Sequence, residues 1–250
     1  MTLYFIGLGL NNEKDITVAG LEAVKKCDGV YLESYTSVLN CAKGDLEKFY
    51  GKKIISARRN LVEGDDNEII ENAKTKNVAF LVIGDPMAAT THIDLYLRAK
   101  KEEIKCEVIH NASIISAVGV TGLQLYKFGK VTSTPLENEN VETPYDVLKD
   151  NLKSGLHTLF LLDLNPDEEK YMSVTDAIRY LLKIELKRNE RVFSERTLCV
   201  GCARIGSKDQ VIKAGSAGAL LKHDFGKPVH CLIVPGKMHF MEEETLKLYS

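Results

Sequence analysis

The sequence predicts an α/β fold built as two lobes. Short apolar runs alternate with amphipathic stretches along the whole chain, which is how strands and covering helices read. The run 78–83 is apolar throughout, as expected of a strand buried on both faces of a parallel sheet. The texture then breaks at 131–145, a polar, aperiodic segment carrying Pro135 and Pro144. It reads as a linker or substrate-facing loop. The expected domains are therefore 1–130, an N-terminal α/β lobe with a mainly parallel sheet, and 131–250, a C-terminal α/β lobe with a mixed sheet.

Taken in order, residues 3–8 read as a strand, and 17–27 as a helix capped by Asp15 or Thr17. A strand at 30–32, a helix at 42–50, a short edge strand at 53–56 and a helix at 68–74 lead to the strand 78–83. A helix at 91–100, a strand at 106–109 and a helix with an apolar face at 114–123 follow. In the second half the pattern predicts helices at 145–153 and 174–187, and strands at 157–162, 198–203 and 229–234. A last helix is expected to be still running at Ser250.

Forty-four per cent of the 250 residues are hydrophobic, enough for a large core without disulfides or a structural metal. Lys and Arg total 33 against 35 Asp and Glu, a formal charge of −2. Duplex binding is dominated by phosphate neutralisation, so no nucleic-acid partner is expected. The first six residues lack a basic leader, and no apolar run approaches the ~20 residues a bilayer requires. Six scattered cysteines in apolar surroundings suit reduced thiols, and a cytoplasmic, membrane-free protein is expected.

Chemistry is expected where the apolar runs end. The tips are Gly7-Leu8-Gly9-Leu10, Gly84-Asp85-Pro86, His110-Asn111-Ala112-Ser113, Leu161-Leu162-Asp163 and Ala203-Arg204-Ile205-Gly206. Glycines and small polar residues at carboxyl ends of strands let a ligand approach the backbone. Turn chemistry places the same residues there, so the weight lies in several tips together. Asp85 has two readings, a ligand-binding carboxylate or an acid bracing its own turn.

Other readings are excluded by spacing. Gly7-x-Gly9 lacks its third glycine, Asn12 standing in that place, and residues 11–15 delay the following helix. Dinucleotide binding is thus disfavoured, and no Gly-Lys-Ser/Thr loop supports an ATPase. A Rossmann-type methyltransferase with Glu33 as its ribose-binding acid remains open at this point. Cys199 and Cys202 have metal-ligand spacing but no second pair, and inside a strand their thiols do not converge. No His-Glu-x-x-His motif occurs, so no metal is expected. The absence of a Gly-x-Ser-x-Gly elbow argues against an α/β-hydrolase. Glu242-Glu243-Glu244 reads as a solvated helix face.

The strings Phe5-Ile6-Gly7-Leu8-Gly9-Leu10, Tyr35-Thr36-Ser37, Gly84-Asp85-Pro86, His110-Asn111-Ala112-Ser113-Ile114, Gly122-Leu123-Gln124-Leu125-Tyr126-Lys127-Phe128-Gly129 and Tyr171-Met172-Ser173-Val174 are more specific. With them the chain resembles the diphthine synthases, from about residue 3 to 241. That family belongs to the tetrapyrrole-methylase-like methyltransferases. The resemblance implies two α/β lobes with S-adenosylmethionine in the cleft between them, and a homodimer. It implies methylation of the modified histidine precursor of diphthamide on elongation factor 2. Carried over by position, the cofactor contacts are Leu10, Asp85, Ala88, Ser113, Ile114, Leu162, Ile205 and His230. No catalytic residue is assigned. A methylase of cobalamin or sirohaem precursors is the alternative of the same fold. A non-catalytic adaptor for elongation factor 2 is the alternative of another class.

Overall fold

A computed structural model describes residues 1–64, 68–137 and 140–250. The chain divides into two compact units, Met1–Ile115 and Ser116–Ser250.

In the first unit the elements are β1 (Thr2–Gly7), α1 (Val18–Lys26), β2 (Gly29–Glu33), α2 (Lys43–Tyr50) and β3 (Ile55–Ala57). There follow α3 (Arg59–Glu63), α4 (Glu68–Thr75), β4 (Val78–Val82), α5 (Ile93–Lys101) and β5 (Lys105–Ile109), and the division between the units falls within the single turn of α6 (Ile114–Ala117). The sheet runs β3-β2-β4-β1-β5 and is parallel throughout. Side chains alternate across a strand, and both faces of this sheet are filled. Leu3 and Phe5 of β1 join Val78, Phe80 and Val82 of β4 in one core. Ile6 and Leu8 join Ala79 and Leu81 in the other. That double burial is why 78–82 carries no polar residue. Each fully buried side chain of this size contributes about 1.5–3 kcal/mol. Helix α1 starts where Thr17 Oγ1 accepts from Gly20 N at 3.0 Å.

In the second unit, two 3₁₀ turns (Val118–Thr121 and Leu125–Lys127) precede β6 (Thr132–Thr134), α7 (Thr143–Lys153) and β7 (Thr158–Leu162). A small hairpin, β8 (Leu164–Asn165) and β9 (Lys170–Tyr171), leads to α8 (Val174–Arg188). Then come β10 (Leu198–Ala203), β11 (Val211–Ser216), α9 (Ala217–Leu220), β12 (His230–Val234) and α10 (Phe240–Lys247). The sheet runs β11-β10-β12-β7-β6, antiparallel except for the β6–β7 pair. Its core joins Tyr145 and Leu148 of α7 and Ile178 and Leu181 of α8 to Phe160 and Leu232. Ser173 and Asp176 cap α8 reciprocally, and Asn189 closes it in the left-handed region at φ 52°.

Several expectations change. The first unit ends at Ile115, ahead of the expected boundary at 130. The reason lies in residues 116–130, which bond to the second unit: Gly129 N donates to His157 O at 2.9 Å and Tyr249 Oη to Val120 O at 2.9 Å. The helix expected at 114–123 is one turn of α6 followed by a 3₁₀ turn, closed by Gly122 at φ 85°. The segment 131–145 holds β6 and the start of α7; residues 138–139 of that expected linker lie outside the described residues. Strand β11 was not foreseen, because Lys213 interrupts its apolar residues at the sheet edge. Among the described residues, no helix is long and apolar enough to cross a membrane.

Candidate functional site

Strands β1, β4 and β5 are parallel neighbours, so their carboxyl ends share one edge: Gly7 pairs with Val82, and Ile6 with Ile109. Leu10, Asp85, Ala88, Ser113 and Ile114 all follow from those ends. The β1 and β4 tips are stitched by Gly84 N donating to Gly9 O at 2.7 Å and Gly9 N to Gly84 O at 3.3 Å. No side chain fits at Gly7, where a Cβ would stand 2.6 Å from Gly84 O and 2.7 Å from Asn111 Cβ. Gly84 differs: its φ of 81° demands glycine, but the nearest atom to a Cβ there is 3.8 Å away, on Ser113. A ligand can therefore approach the backbone beside Gly84.

Two further side chains hold this edge. Asp15 Oδ2 accepts from Leu10 N at 3.3 Å and from Asn11 N at 2.9 Å. Asn111 Nδ2 donates to Gly7 O at 3.0 Å and to Asp15 O at 2.9 Å, binding the β5 tip to β1. The sequence offers Asp15 only as a candidate cap of α1, a place that Thr17 takes, and Asn111 only as one member of a strand tip. Neither signal points to a role in bracing β1.

Asp85 braces its own surroundings. Oδ1 accepts from Met87 N at 2.9 Å, the two-residue turn bond, and Oδ2 accepts from Asn111 N at 3.1 Å and meets His110 Nδ1 at 2.8 Å. Burial alone would raise its carboxyl, but these bonds outweigh it and hold the group below the usual carboxylate range. A carboxylate offers about four acceptor positions, so room for one more donor remains.

In the second unit, Leu162, Ile205 and His230 also meet at one edge. β12 lies between β10 and β7, with His230 opposite Ala203 and Cys231 opposite Leu161. Leu162 and Ile205 are buried, and His230 is half-buried beside Phe225, their rings 6.0 Å apart. His230 Nε2 bonds the Lys227 carbonyl at 2.9 Å, while its Nδ1 is buried and has no partner among the described residues. A carbonyl only accepts, so Nε2 carries the proton and Nδ1 presents a lone pair. Burial, with the positive charge of Arg204, lowers the His230 pKa and favours this neutral form.

Other sequence readings are reassigned. Glu33 is fully buried and accepts from Tyr35 N (2.9 Å), Thr36 N (2.7 Å) and Thr36 Oγ1 (2.8 Å), closing the turn after β2 instead of presenting itself to a ligand. Glu242 is no solvated face residue; it is fully buried, and its partners are Gln124, Lys127, His157 and His239. Cys199 and Cys202 are buried within β10, with Cys202 opposite Cys231 on β12. The neighbouring Cys231 thiol and burial raise the Cys202 thiol, which suits packing over reactivity. Among the described residues, no cluster of three or more His, Cys, Asp or Glu side chains is arranged to hold a metal.

The comparisons with known proteins agree with this architecture. The model of the Tetrapyrrole (Corrin/Porphyrin) Methylases matches residues 2–221. A diphthine synthase of Methanococcus maripaludis is 48% identical, over 98% of this chain and 97% of its own. The diphthine methyl ester synthase of Homo sapiens is 47% identical, over 99% and 95%. A crystal structure of diphthine synthase superposes with a TM-score of 0.92 at 40% identity, covering all of this chain and 96% of that one. The chain thus belongs to the tetrapyrrole methylases and, among them, to the diphthine synthase methyltransferases.

Proposed function

We propose that the protein uses S-adenosylmethionine to methylate the aminocarboxypropyl-histidine precursor of diphthamide on elongation factor 2. The observation that carries this reading is the placement of the eight residues named by the resemblance. Leu10, Asp85, Ala88, Ser113 and Ile114 stand at the carboxyl edge of one sheet, and Leu162, Ile205 and His230 at one edge of the other. These groups fit the cofactor. The approachable backbone at Gly84 suits a polar tail, and Leu162, Ile205 and the open acceptor at His230 Nδ1 suit a flat heterocycle bearing donors.

When bound, S-adenosylmethionine supplies an electrophilic methyl group. The residues named here bind and orient, with Asp15 and Asn111 fixing the β1 tip and the apolar Leu10, Leu162 and Ile205 excluding water. No side chain is assigned as a general base; the accepting amine loses its proton to solvent before it binds. The proposed partner is elongation factor 2.

A homodimer belongs to the same reading. The 3₁₀ turn at Leu125–Lys127 is bonded to α10, and Tyr126, Phe240, Met241 and, directly after α10, Leu248 are 56–82% exposed. We infer that these side chains form one interaction surface. Sedimentation equilibrium should give twice the chain mass, and a monomer at all concentrations would refute the dimer.

The test of function is incubation with methyl-labelled S-adenosylmethionine and elongation factor 2, with and without the aminocarboxypropyl group. Label should enter only the modified factor, and mass spectrometry should count the methyls on its histidine. That count matters because the archaeal relative is called a diphthine synthase and the human one a methyl ester synthase. Equal labelling of unmodified factor, transfer to a tetrapyrrole instead, or no turnover would sink the proposal.

A further inference from the structure

Arg204 stands in the left-handed region at φ 52°, an uncommon place for a residue with a long side chain. Its guanidinium is almost fully used. Nε bonds Asp209 Oδ2 at 2.8 Å, one terminal nitrogen donates to Asp209 O at 2.9 Å, and the other donates to the carbonyls of Phe225 (3.0 Å) and Lys227. Its own backbone N–H donates to Val229 O at 2.9 Å. One side chain therefore ties the turn after β10, which carries Ile205, to the loop that enters β12 at His230. The Lys227 carbonyl that Arg204 grips is also the one that takes the proton of His230 Nε2.

We infer that Arg204 is a positioning residue for cofactor binding: by fixing the Lys227 carbonyl it holds His230 with Nδ1 free to accept a hydrogen bond from an N–H or O–H donor of the bound cofactor. The inference rests on the proposed use of S-adenosylmethionine. Two features separate it from a purely structural staple. The carbonyl it holds sets the imidazole tautomer, and the acceptor left over is buried with no partner among the described residues. A lysine keeps the charge but lacks the planar fork that reaches Asp209, Phe225 and Lys227 together.

The test uses the full chain with S-adenosylhomocysteine as probe. Nitrogen-15 NMR of the histidine rings should find free His230 protonated at Nε2 and bare at Nδ1, and the probe should move the Nδ1 resonance. In Arg204→Lys the tautomer should become mixed and the probe should bind about tenfold more weakly, the loss expected for one hydrogen bond to a buried group. In turnover the loss should appear in KM for the cofactor more than in kcat. Asp209→Asn, which keeps the Arg204 fork and its carbonyl bonds, should bind the probe within about threefold of the unaltered protein, showing that the surface ion pair contributes little. If free His230 is protonated at Nδ1, if its Nδ1 resonance ignores the probe, or if Arg204→Lys binds as well as the unaltered protein, the inference is overturned. Failure of the unaltered protein to bind the probe would instead refute the cofactor assignment, while the free-state tautomer and its change in Arg204→Lys still decide whether Arg204 orients His230.

Discussion

His157 Nε2 lies 2.9 Å from Glu242 Oε1, and both side chains are fully buried. Gly236 N donates to His157 Nδ1 at 2.9 Å, so the imidazole is neutral and its Nε2 donates to the carboxylate. Glu242 also accepts from Gln124 N at 2.8 Å, from His239 N at 2.6 Å and from Lys127. Burial alone would raise its carboxyl, but these four partners hold it down to about 2. One acidic side chain thus gathers α10, the second 3₁₀ turn and the start of β7.

Glu242→Ala should therefore destabilise the protein by about 3 kcal/mol, because it leaves a lysine, a histidine and two backbone donors without their acceptor. Glu243→Ala, one residue further along α10, should change stability by less than about 0.5 kcal/mol. Urea unfolding of the two variants reads the difference. Equal, small effects would return Glu242 to the solvated face that the sequence suggested.

A second prediction concerns pH. His92 is buried against Phe80 and Tyr35, with ring centroids at 5.1 and 6.4 Å, and burial pushes its imidazole down to about 4. The folded state resists protonation there while the unfolded chain, near 6.5, accepts it. The stability contributed is complete above pH 6.5 and is lost as pH falls toward 4, by roughly 3 kcal/mol in all. His92→Phe should flatten the stability profile across that window relative to the unaltered protein. Parallel profiles for the two would show that His92 does not titrate on unfolding.

Asp85 separates its two readings. Asp85→Ala removes the bonds to Met87, Asn111 and His110, and should cost about 1–3 kcal/mol of stability. If the carboxylate also meets the cofactor, binding of S-adenosylhomocysteine should weaken by roughly ten- to hundredfold. Calorimetry on the folded variant reads the second effect independently. Lower stability with unchanged affinity would leave Asp85 with its turn alone.

How far the sequence reached follows from where each signal resides. The parallel sheet was legible because burial on both faces writes itself into consecutive residues such as Val78 to Val82. The strand tips were legible because Gly84 and Gly7 are demanded by backbone geometry. The meaning of Asp85 stayed open because turn and ligand call for the same residue. Glu242 misled because three consecutive glutamates look solvated, and its partners His157 and Lys127 stand 85 and 115 residues away. Arg204 was visible only as part of a strand tip, and its role was not: its acceptors are mostly backbone carbonyls, which every residue possesses.

The strand order of the first sheet bears on synthesis. β1 is made before β4 and β5, yet it lies between them, with Leu3 paired to Val78 on one side and to Cys106 on the other. An apolar strand leaving the ribosome therefore has no neighbour until more than seventy further residues have been added. Pairing so distant is slow, and a hydrophobic edge that waits for it is exposed to aggregation. The nascent chain is thus most vulnerable between the synthesis of β1 and that of β4. Chaperones that bind short apolar segments have their clearest target in β1.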